Sequence, residues 1–410
     1  MLYMLFGLLW PLIYAFGLLG IGTIAVSNDP VVVQVVAYSA AVLLPLRGIY
    51  YMLISLFKGN GITKGMLIQT LAEIAIAAAI VALPNFSYGA FVVVFEIFLT
   101  FYIAVKLIDT FIYGKNRAFR FMIPSLAQAA LFFHIFIAIL LLPGEIRRRA
   151  VEMGTGIVLS LLGVAHMCDF LTMVVKKQKA REILGYIRVT MPGFIALTIP
   201  HRLMHAIKNA KNRENAEDVN VEVFFQYGKG GIEVAGHCEI CVDGRTYTYG
   251  NYDPESRVLI GTVGRGIIVR AARDEYIDWC VNSRRKMMMV YGLHLNEEEL
   301  AQFRRRMEEF DACLLPWDEE AKALPEKEYA RRLCESVDSR AYQIVKGRFK
   351  TYFIPTINCV KLVDHFLGDT SIGHMIIPGI YSPGAYMDVL QRLYDTGSET
   401  VVSLKKYGMK

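Results

Sequence analysis

The sequence predicts an α-helical transmembrane bundle of about six helices, followed by an α+β domain. The 410-residue chain is 54% hydrophobic, which excludes disordered and collagen-like classes. Charge is unevenly distributed, because roughly 10% of residues 1–175 but about 28% of residues 176–410 are charged. The first part is therefore too apolar for water, and the second has the composition of a soluble domain.

The net charge of +6 also divides along the chain. Residues 1–175 contribute about +3, residues 176–215 about +7 and residues 216–410 about −4. The basic segment predicts a surface contact with anionic lipid at the junction, since a nucleic-acid partner would need a basic face on the folded domain. The predicted organisation is a transmembrane domain (1–175), a basic amphipathic interfacial segment (176–218) and an α+β domain (219–410).

A membrane-spanning helix needs about 20 predominantly apolar residues. Short turn-forming sequences such as Asn28-Asp29-Pro30 separate the apolar stretches of the first part. The six stretches that qualify are residues 3–26, 31–57, 65–83, 88–112, 121–143 and 153–175.

The positive-inside rule orients these helices. With the N-terminus inside, Lys115, Arg117 and Arg120 fall in an inner loop, whereas the Arg147–Arg149 triplet falls outside. This predicts an integral protein of a bacterial-type inner or plasma membrane, with the C-terminal domain in the cytoplasm. Residues 183–204 leave an alternative open, because a seventh span there would place that domain outside.

Several ionisable residues fall inside the predicted spans, where charges are costly and face a partner or a cavity. One hypothesis is a polar pocket or proton path formed by Glu73, Glu96, His134 and His166. The alternative, which we favour, is pairing between or within helices. Lys106 and Asp109 lie three residues apart, a spacing that predicts a local ion pair.

The C-terminal part has the alternation and turn signals of an α+β domain. Asp243-Gly244 predicts a tight hairpin turn, and Asn296 with Glu299 predicts a capping box. Strands are predicted at 219–227, 232–242, 245–250, 257–261, 266–271 and 349–354. Helices are predicted at about 296–315, 326–346 and 358–367, with a last helix starting at Ser382-Pro383.

The seven cysteines have no regular spacing. Cys238 and Cys241 form a single CxxC pair, but alternation along the predicted strand directs them to opposite faces. We therefore predict reduced thiols, no metal site and no cofactor.

Two segments carry candidate catalytic residues. Asn358 is a good N-cap, so Cys359 opens a helix, where the dipole and free N–H groups favour a thiolate nucleophile. His237 lies on the first strand of the hairpin, a rigid position for a general base.

Alternation and the two-residue turn place further polar residues around this candidate site. Glu239 shares a face with His237, and Thr248 lies across the hairpin from that face, so either could orient the imidazole. Asn358, Tyr249 and Asn251 are predicted to contact substrate. The alternative is that His237 is a half-buried strand residue and Cys359 is a core thiol, because free cysteines are commonly buried.

The segments "GHCEICVDGRTYTYGNYD" and "TINCVKLVDHFLGD" resemble the His hairpin and the "NC" nucleophile helix of circularly permuted papain-like proteins. These form the permuted branch of the NlpC/P60 superfamily, which includes lecithin–retinol acyltransferase-like enzymes. The pattern also resembles Lnb-type lipoprotein N-acyltransferases. The resemblance covers roughly residues 220–390 and implies a permuted papain-like fold with Cys359 as nucleophile and His237 as base.

The sequence thus predicts a membrane-bound thiol acyltransferase or amide/ester hydrolase that forms an acyl-enzyme. A position beside the bilayer predicts a lipid or lipid-linked substrate, and no nucleic acid. Two other hypotheses remain open. One is a cell-wall amidase or peptidase with the domain outside, and the other is a transporter or sensor with a non-catalytic regulatory domain.

Overall fold

The computed structural model describes most of the chain, with gaps. The described residues are 2–27, 41–42, 45–46, 48–49, 52–53, 64–82, 84–174, 219–227, 236–368, 370, 382–395 and 398–408. The predicted interfacial segment 176–218, and most of the predicted span 31–57, lie outside them. The chain divides into two compact units, one comprising Met1–Leu12, Val105–Leu126 and Ala165–Lys410, the other Ile13–Ala104 and Ala127–Val164.

The N-terminal region is helical. Within the described residues, two helical segments, Phe91–Lys115 and Phe119–Leu141, are long and apolar enough to cross a membrane, which is fewer than the six predicted. Only 39% and 28% of the most apolar parts of these two segments are buried, whereas the core helix of a soluble protein is mostly buried. The helices are α1 (Leu2–Val26), α2 (Lys64–Ala82), α3 (Pro84–Lys115), α4 (Phe119–Leu141) and α5 (Gly144–Val174).

Helix α1 also contains a shorter apolar stretch, Ala15–Val26. Helix α5 opens with the charged segment from Glu145 to Glu152. Gly22 of α1 contacts Gly156 and Ser160 of α5 so closely that a Cβ would clash, a small-residue contact typical of packed membrane helices.

Three of the ionisable residues predicted inside the spans have a defined partner in the described helices. The ammonium of Lys106 lies 3.6 Å from the Asp109 carboxylate, which confirms the predicted pair. Glu96 accepts a hydrogen bond of 2.7 Å from Arg147, and His134 Nδ1 contacts the carbonyl oxygen of Ala130 on its own helix. The side chain of His166 lies outside the described residues.

The C-terminal domain is built on an antiparallel sheet of eight strands, in the order β10-β6-β1-β2-β3-β5-β8-β7, with a separate pair β4-β9. The strands are β1 (Val221–Tyr227), β2 (His237–Val242), β3 (Arg245–Gly250), β4 (Val263–Arg265), β5 (Ile267–Ala272), β6 (Met287–Leu293), β7 (Leu314–Pro316), β8 (Ser339–Ile344), β9 (Thr351–Phe353) and β10 (Val401–Tyr407).

The helices that accompany this sheet in the described part of the chain are α6 (Arg273–Asp278), α7 (Glu297–Asp311), α8 (Asp318–Ala323), α9 (Tyr329–Ser336), α10 (Cys359–Leu367) and α11 (Pro383–Asp395). A π-helical turn, Trp279–Ser283, continues α6. The capping box of Asn296 and Glu299 opens α7 as predicted. The β2–β3 hairpin also forms as predicted, since Asp243 and Gly244 have φ of 49° and 71°, as a tight hairpin turn requires.

Three predicted elements differ from the structure. The helix predicted over 326–346 ends at Ser336, and the remainder is β8. The helix predicted over 296–315 ends at Asp311 and gives way to β7. The strand predicted at 257–261 is a single bridge at Val258 followed by a turn. In the first two cases a non-local strand pairing overrides the local helical pattern.

The two faces of the sheet carry different cores. One core contains Cys238, Ile240 and Val242 of β2, packed with apolar residues of α7, α10 and α11. The other contains Cys241, with apolar residues of α6, α8 and α9. Alternation along β2 therefore directs Cys238 and Cys241 to opposite faces, as the sequence predicts.

Candidate functional site

The candidate site is centred on the β2–β3 hairpin. Ile240 pairs with Tyr247 and Cys241 with Thr246, which aligns the polar residues of the two strands on one face. We refer to the face of β2 that carries His237 and Glu239 as the polar face, and to the face that carries Cys238 and Ile240 as the apolar face.

His237 contacts two hydroxyl groups on the polar face. Its Nε2 atom lies 3.2 Å from Thr248 Oγ1 and 3.2 Å from the Tyr252 hydroxyl. These hydroxyls are 2.7 Å from each other. Glu239 Oε1 lies 3.8 Å from the same ring nitrogen. The structure therefore brings together His237, Glu239 and Thr248, as the hairpin register predicts.

Glu239 is the centre of a buried polar network, and its side chain is fully inaccessible to solvent. Oε1 accepts hydrogen bonds from Gln226 and from the Tyr276 hydroxyl, and Tyr276 lies 2.8 Å from the hydroxyl of Tyr329. Oε2 has no hydrogen-bond partner among the described residues. Burial raises the pKa of Glu239 from 4.5 to about 7, although hydrogen bonds from Tyr276 and Gln226 act in the opposite direction.

The imidazole of His237 is neutral at physiological pH. Burial, and to a smaller extent the positive charge of Lys286, lowers the pKa of His237 from 6.5 to about 4. The ring is not fully enclosed, because 23% of the side chain is exposed. A neutral ring with partial exposure can accept a proton, which is the property a general base needs.

Cys359 occupies the first position of α10. The Asn358 side chain accepts a hydrogen bond of 3.1 Å from Lys361 N, so the predicted N-cap is present. Burial raises the pKa of Cys359 to about 11, although hydrogen bonding from the backbone of Cys238 and Val360 and from Tyr352 acts in the opposite direction. The resting group is therefore a protonated thiol.

Cys359 and His237 belong to opposite faces of β2. Cys359 is 4% exposed and lies in the core of the apolar face, whereas the His237 ring bonds to Thr248 and Tyr252 on the polar face. No hydrogen bond joins the thiol to the imidazole, both of which lie in the described part of the chain. Cys359 does share its core with Cys238, the residue that directly follows His237.

The three residues predicted to contact substrate each have an internal partner. The Tyr249 hydroxyl donates to the carbonyl of Phe349 and is buried. Asn251 donates through Nδ2 to the carbonyl of Gly261 at 2.6 Å. Asn358 caps α10 and also donates to the carbonyl of Ile354. These contacts give Tyr249, Asn251 and Asn358 structural roles at the edges of the site.

Sequence reasoning missed Gln226, Tyr276 and Tyr329, which complete the network around Glu239. They are 13, 37 and 90 positions away from Glu239 in the chain, so no local motif connects them. The available signal was weak: Gln226 directly follows the apolar residues Val223, Phe224 and Phe225 in β1.

Metal-binding geometry is lacking at the site: the described residues contain no group of three or more His, Cys, Asp or Glu side chains that could hold a metal ion. Cys238, Cys241, Cys280, Cys313, Cys334 and Cys359 are free thiols. The arrangement offers a thiol at a helix N-terminus, a neutral imidazole and a buried carboxyl group, which are the components of acid–base and nucleophilic chemistry.

Fold and site together define a protein with a helical N-terminal region, two candidate membrane spans and a sheet-rich C-terminal domain that contains a His–Glu–Thr cluster. No protein-family model, curated protein or solved structure matches the chain. The resemblance to permuted papain-like proteins therefore stays a prediction.

Proposed function

We propose that this protein is a membrane-bound, cysteine-dependent acyltransferase or amide/ester hydrolase of permuted papain-like type, with Cys359 as nucleophile and His237 as base. One observation carries the proposal. Cys359, at the capped N-terminus of α10, lies in the same core as Cys238, the residue next to His237 in the chain.

This adjacency supports a short path between thiol and imidazole. The N atom of Cys238 and the Cα atom of His237 are separated by a single carbonyl carbon, about 2.4 Å apart in standard geometry. In this mechanism the Cys359 thiol leaves the apolar face and meets the imidazole at the end of β2, where His237 is the first strand residue. Glu239 and Thr248 hold the orientation of the ring.

The mechanism starts from a neutral pair. His237 accepts the thiol proton while Cys359 Sγ attacks the acyl carbonyl carbon, so that a C–S bond forms and the carbonyl oxygen takes the negative charge. The oxyanion collapses, and the leaving alcohol or amine departs with the proton from the imidazolium. Water or an acceptor amine then attacks the thioester, His237 takes its proton, and that proton returns to the thiol.

The surroundings of the thiol offer donors for the oxyanion. Hydrogen bonding from the backbone of Cys238 and Val360 and from Tyr352 lowers the pKa of the Cys359 thiol, against the larger effect of burial. An acyl carbonyl carbon bonded to Sγ would carry its oxygen within reach of the same donors.

A lipid or lipid-linked substrate is supported by two hydrogen bonds between α3 and the chain before Cys359. Thr351 donates to Asn116, and Thr356 donates to Asp109 within the candidate span. The loop from Lys115 to Arg120, which connects the two candidate spans, is basic, a feature typical of cytoplasmic loops. These contacts favour a C-terminal domain at the cytoplasmic surface, where it meets membrane-embedded acyl groups.

Trapping of the acyl-enzyme tests the proposal. We expect full-length protein in detergent, treated with an activated acyl ester, to gain a hydroxylamine-sensitive acyl mass on the Cys359 peptide. Cys359→Ala should abolish this mass, and His237→Gln should slow its appearance by about 10²–10⁴-fold, the contribution typical of a general base. Peptide mass spectrometry after timed quenching measures both effects.

Cys313→Ala is the matched control, because Cys313 is a more accessible thiol whose Sγ donates to the Glu309 carbonyl away from His237. It should acylate Cys359 at the wild-type rate. Acylation of Cys313 in preference to Cys359, or an unchanged rate in His237→Gln protein that retains the wild-type circular dichroism, contradicts the proposal.

A second candidate function is a non-catalytic regulatory domain on a membrane transporter or sensor. The burial of the Cys359 thiol, 4% exposed, favours it. In that case Cys359→Ala preserves the cellular function of the protein, and no acyl-enzyme forms.

A further inference from the structure

An exposed apolar turn lies between Val258 and Val263. Leu259 is 56% exposed and Ile260 is fully exposed, and the flanking Val258 is also exposed. Three consecutive exposed aliphatic residues are unusual on a surface that faces water. Leu259 and Ile260 both have positive φ, 50° and 57°, a backbone region that β-branched residues such as isoleucine rarely adopt.

The turn is held in place by defined hydrogen bonds. Val258 and Val263 form a bridge, and Gly261 N donates to the Val258 carbonyl. From outside the turn, Asn251 donates to the Gly261 carbonyl, and Ile354 N donates to the Thr262 carbonyl. The apolar side chains are therefore presented outward by a well-supported backbone.

Two hydrogen bonds show how the segment from Thr351 to Thr356 lies along the candidate span Phe91–Lys115. Thr351 contacts Asn116, directly after the end of the span at Lys115. Thr356 contacts Asp109, which lies about 9 Å further inside the span at the helical rise per residue. The chain from Thr351 to Thr356 thus runs along α3 from the end of the span toward its interior.

The pairing of β4 with β9 shows that the turn Val258–Thr262 lies toward the interior of the span. Arg265 pairs with Thr351 and Val263 with Phe353, so β4 approaches the span interior as it is followed back from Arg265. Thr262 is bonded to Ile354, itself an exposed apolar residue. Leu259 and Ile260 form the end of the turn beyond the Val258–Val263 bridge, in the same direction.

The charge distribution fits the same orientation. Arg265, the last residue of β4, is exposed. It is the strand partner of Thr351, which bonds to Asn116. Lys115, Arg117 and Arg120, at the same end of the span, are also exposed. Cations at the level of the headgroups and aliphatic side chains below them are the pattern of a segment inserted into an anionic bilayer.

We propose that the turn Val258–Thr262 inserts into the lipid bilayer beside α3, with Leu259 and Ile260 among the acyl chains. The occupant of this apolar surface is lipid, because the turn lies alongside a segment long and apolar enough to cross a membrane. This insertion does not depend on the proposed chemistry. If Cys359 is the nucleophile, insertion would also link lipid to the site, since Ile354 bonds to both Thr262 and the N-cap Asn358.

Depth-dependent fluorescence quenching tests the insertion. Ile260→Trp protein is reconstituted into vesicles of zwitterionic and anionic phospholipid whose acyl chains carry bromine at defined depths. The wild-type emission, from three tryptophans, is subtracted. We expect most of the added emission to be lost, with the strongest quenching by bromines roughly 5–10 Å below the headgroups.

Asp274→Trp is the control. Asp274 is exposed and follows β5 at the opposite end of the strand from Ile267, away from the β4–β9 pair. Its added emission should be quenched by aqueous iodide and unaffected by brominated lipid. If Ile260→Trp shows the same pattern as Asp274→Trp, the turn faces water and the proposal is overturned. Acylation of Cys359 is not measured here, so the failure of either proposal leaves the other intact.

Discussion

The two faces of the central sheet are filled in different ways. The apolar face is covered by α7, α10 and α11 through aromatic and aliphatic contacts, and Cys359 lies among them. The polar face carries Glu239, a fully buried carboxyl group, with an amide partner from β1 and a hydroxyl partner from α6, which in turn contacts Tyr329 of α9. The proposed nucleophile is therefore held by packing, whereas the proposed base is held by hydrogen bonds.

This difference determines how substitutions on each face change the stability of the fold. An apolar core loses stability in proportion to the volume removed, since deletion of atoms leaves a cavity. A buried polar network loses stability when one partner is removed and the others remain unsatisfied. Substitutions on the two faces should therefore differ in size and, above all, in their dependence on pH.

The largest effect is expected on the apolar face. Phe366 of α10 is fully buried, with edge-to-face ring contacts to Phe303 and Phe310. Phe366→Ala should lower the free energy of unfolding by about 3–5 kcal/mol, independently of pH. Urea unfolding of the full-length protein in detergent, followed by near-ultraviolet circular dichroism, measures this loss.

Leu315→Ala is the control for this substitution, because Leu315 is exposed. Its effect should stay within about 0.5 kcal/mol. A loss for Phe366→Ala no larger than that of Leu315→Ala would show that α10 is not part of the core.

The apolar face is the part that sequence predicts best. The alternation of β1 to β3, the Asp243-Gly244 turn and the N-cap Asn358 are local signals, and each element they predict is present. Strands β6, β8 and β10 were missed, because their stability comes from pairing with distant strands. The eight-stranded order therefore could not be predicted from local pattern.

The candidate site likewise contains residues that local sequence predicts and residues that only the tertiary fold brings together. The cluster of His237, Glu239 and Thr248 follows from alternation and hairpin register, which are local. Tyr276 and Gln226, which enclose Glu239, are brought there by the path of β1 and α6. The face on which Cys359 lies depends on the packing of α10, which the sequence does not specify.

The next largest effect is the contribution of Glu239, on the polar face, to the pH dependence of the free energy of unfolding. Its pKa is raised in the folded state, so its contribution is fully present below pH 4.5 and is lost as pH rises through 7. The change from 4.5 to about 7 corresponds to about 3 kcal/mol. Glu239→Gln should remove this loss, so the variant gains stability relative to wild type as pH rises through this range.

Urea unfolding at intervals between pH 5 and 8 measures the difference between Glu239→Gln and wild type. The control is Glu335→Gln, because Glu335 is an exposed carboxyl group on α9. The difference between Glu335→Gln and wild type should not vary with pH. A constant difference for Glu239→Gln as well would mean that Glu239 does not titrate in this range.

The smallest effect compares two helix caps, one at the site and one remote from it. Asn358 caps α10 in front of Cys359, and Asn296 caps α7 with a full capping box. Replacement of either by alanine should cost about 1 kcal/mol, because each leaves helix N–H groups unsatisfied. Only Asn358→Ala should also increase the alkylation rate of Cys359, since fraying of the first turn of α10 exposes the buried thiol.

Urea unfolding measures the loss of stability, and equal midpoints show that the two substitutions destabilise the protein equally. Timed iodoacetamide labelling with peptide mass spectrometry measures the exposure of Cys359. Equal Cys359 labelling in Asn358→Ala and Asn296→Ala would attribute exposure of the thiol to global unfolding. Selective labelling in Asn358→Ala would show that the N-terminus of α10 opens locally. Such opening is the motion that the proposed chemistry needs, because it would let the Cys359 thiol leave the apolar face and meet the His237 imidazole at the backbone edge of Cys238.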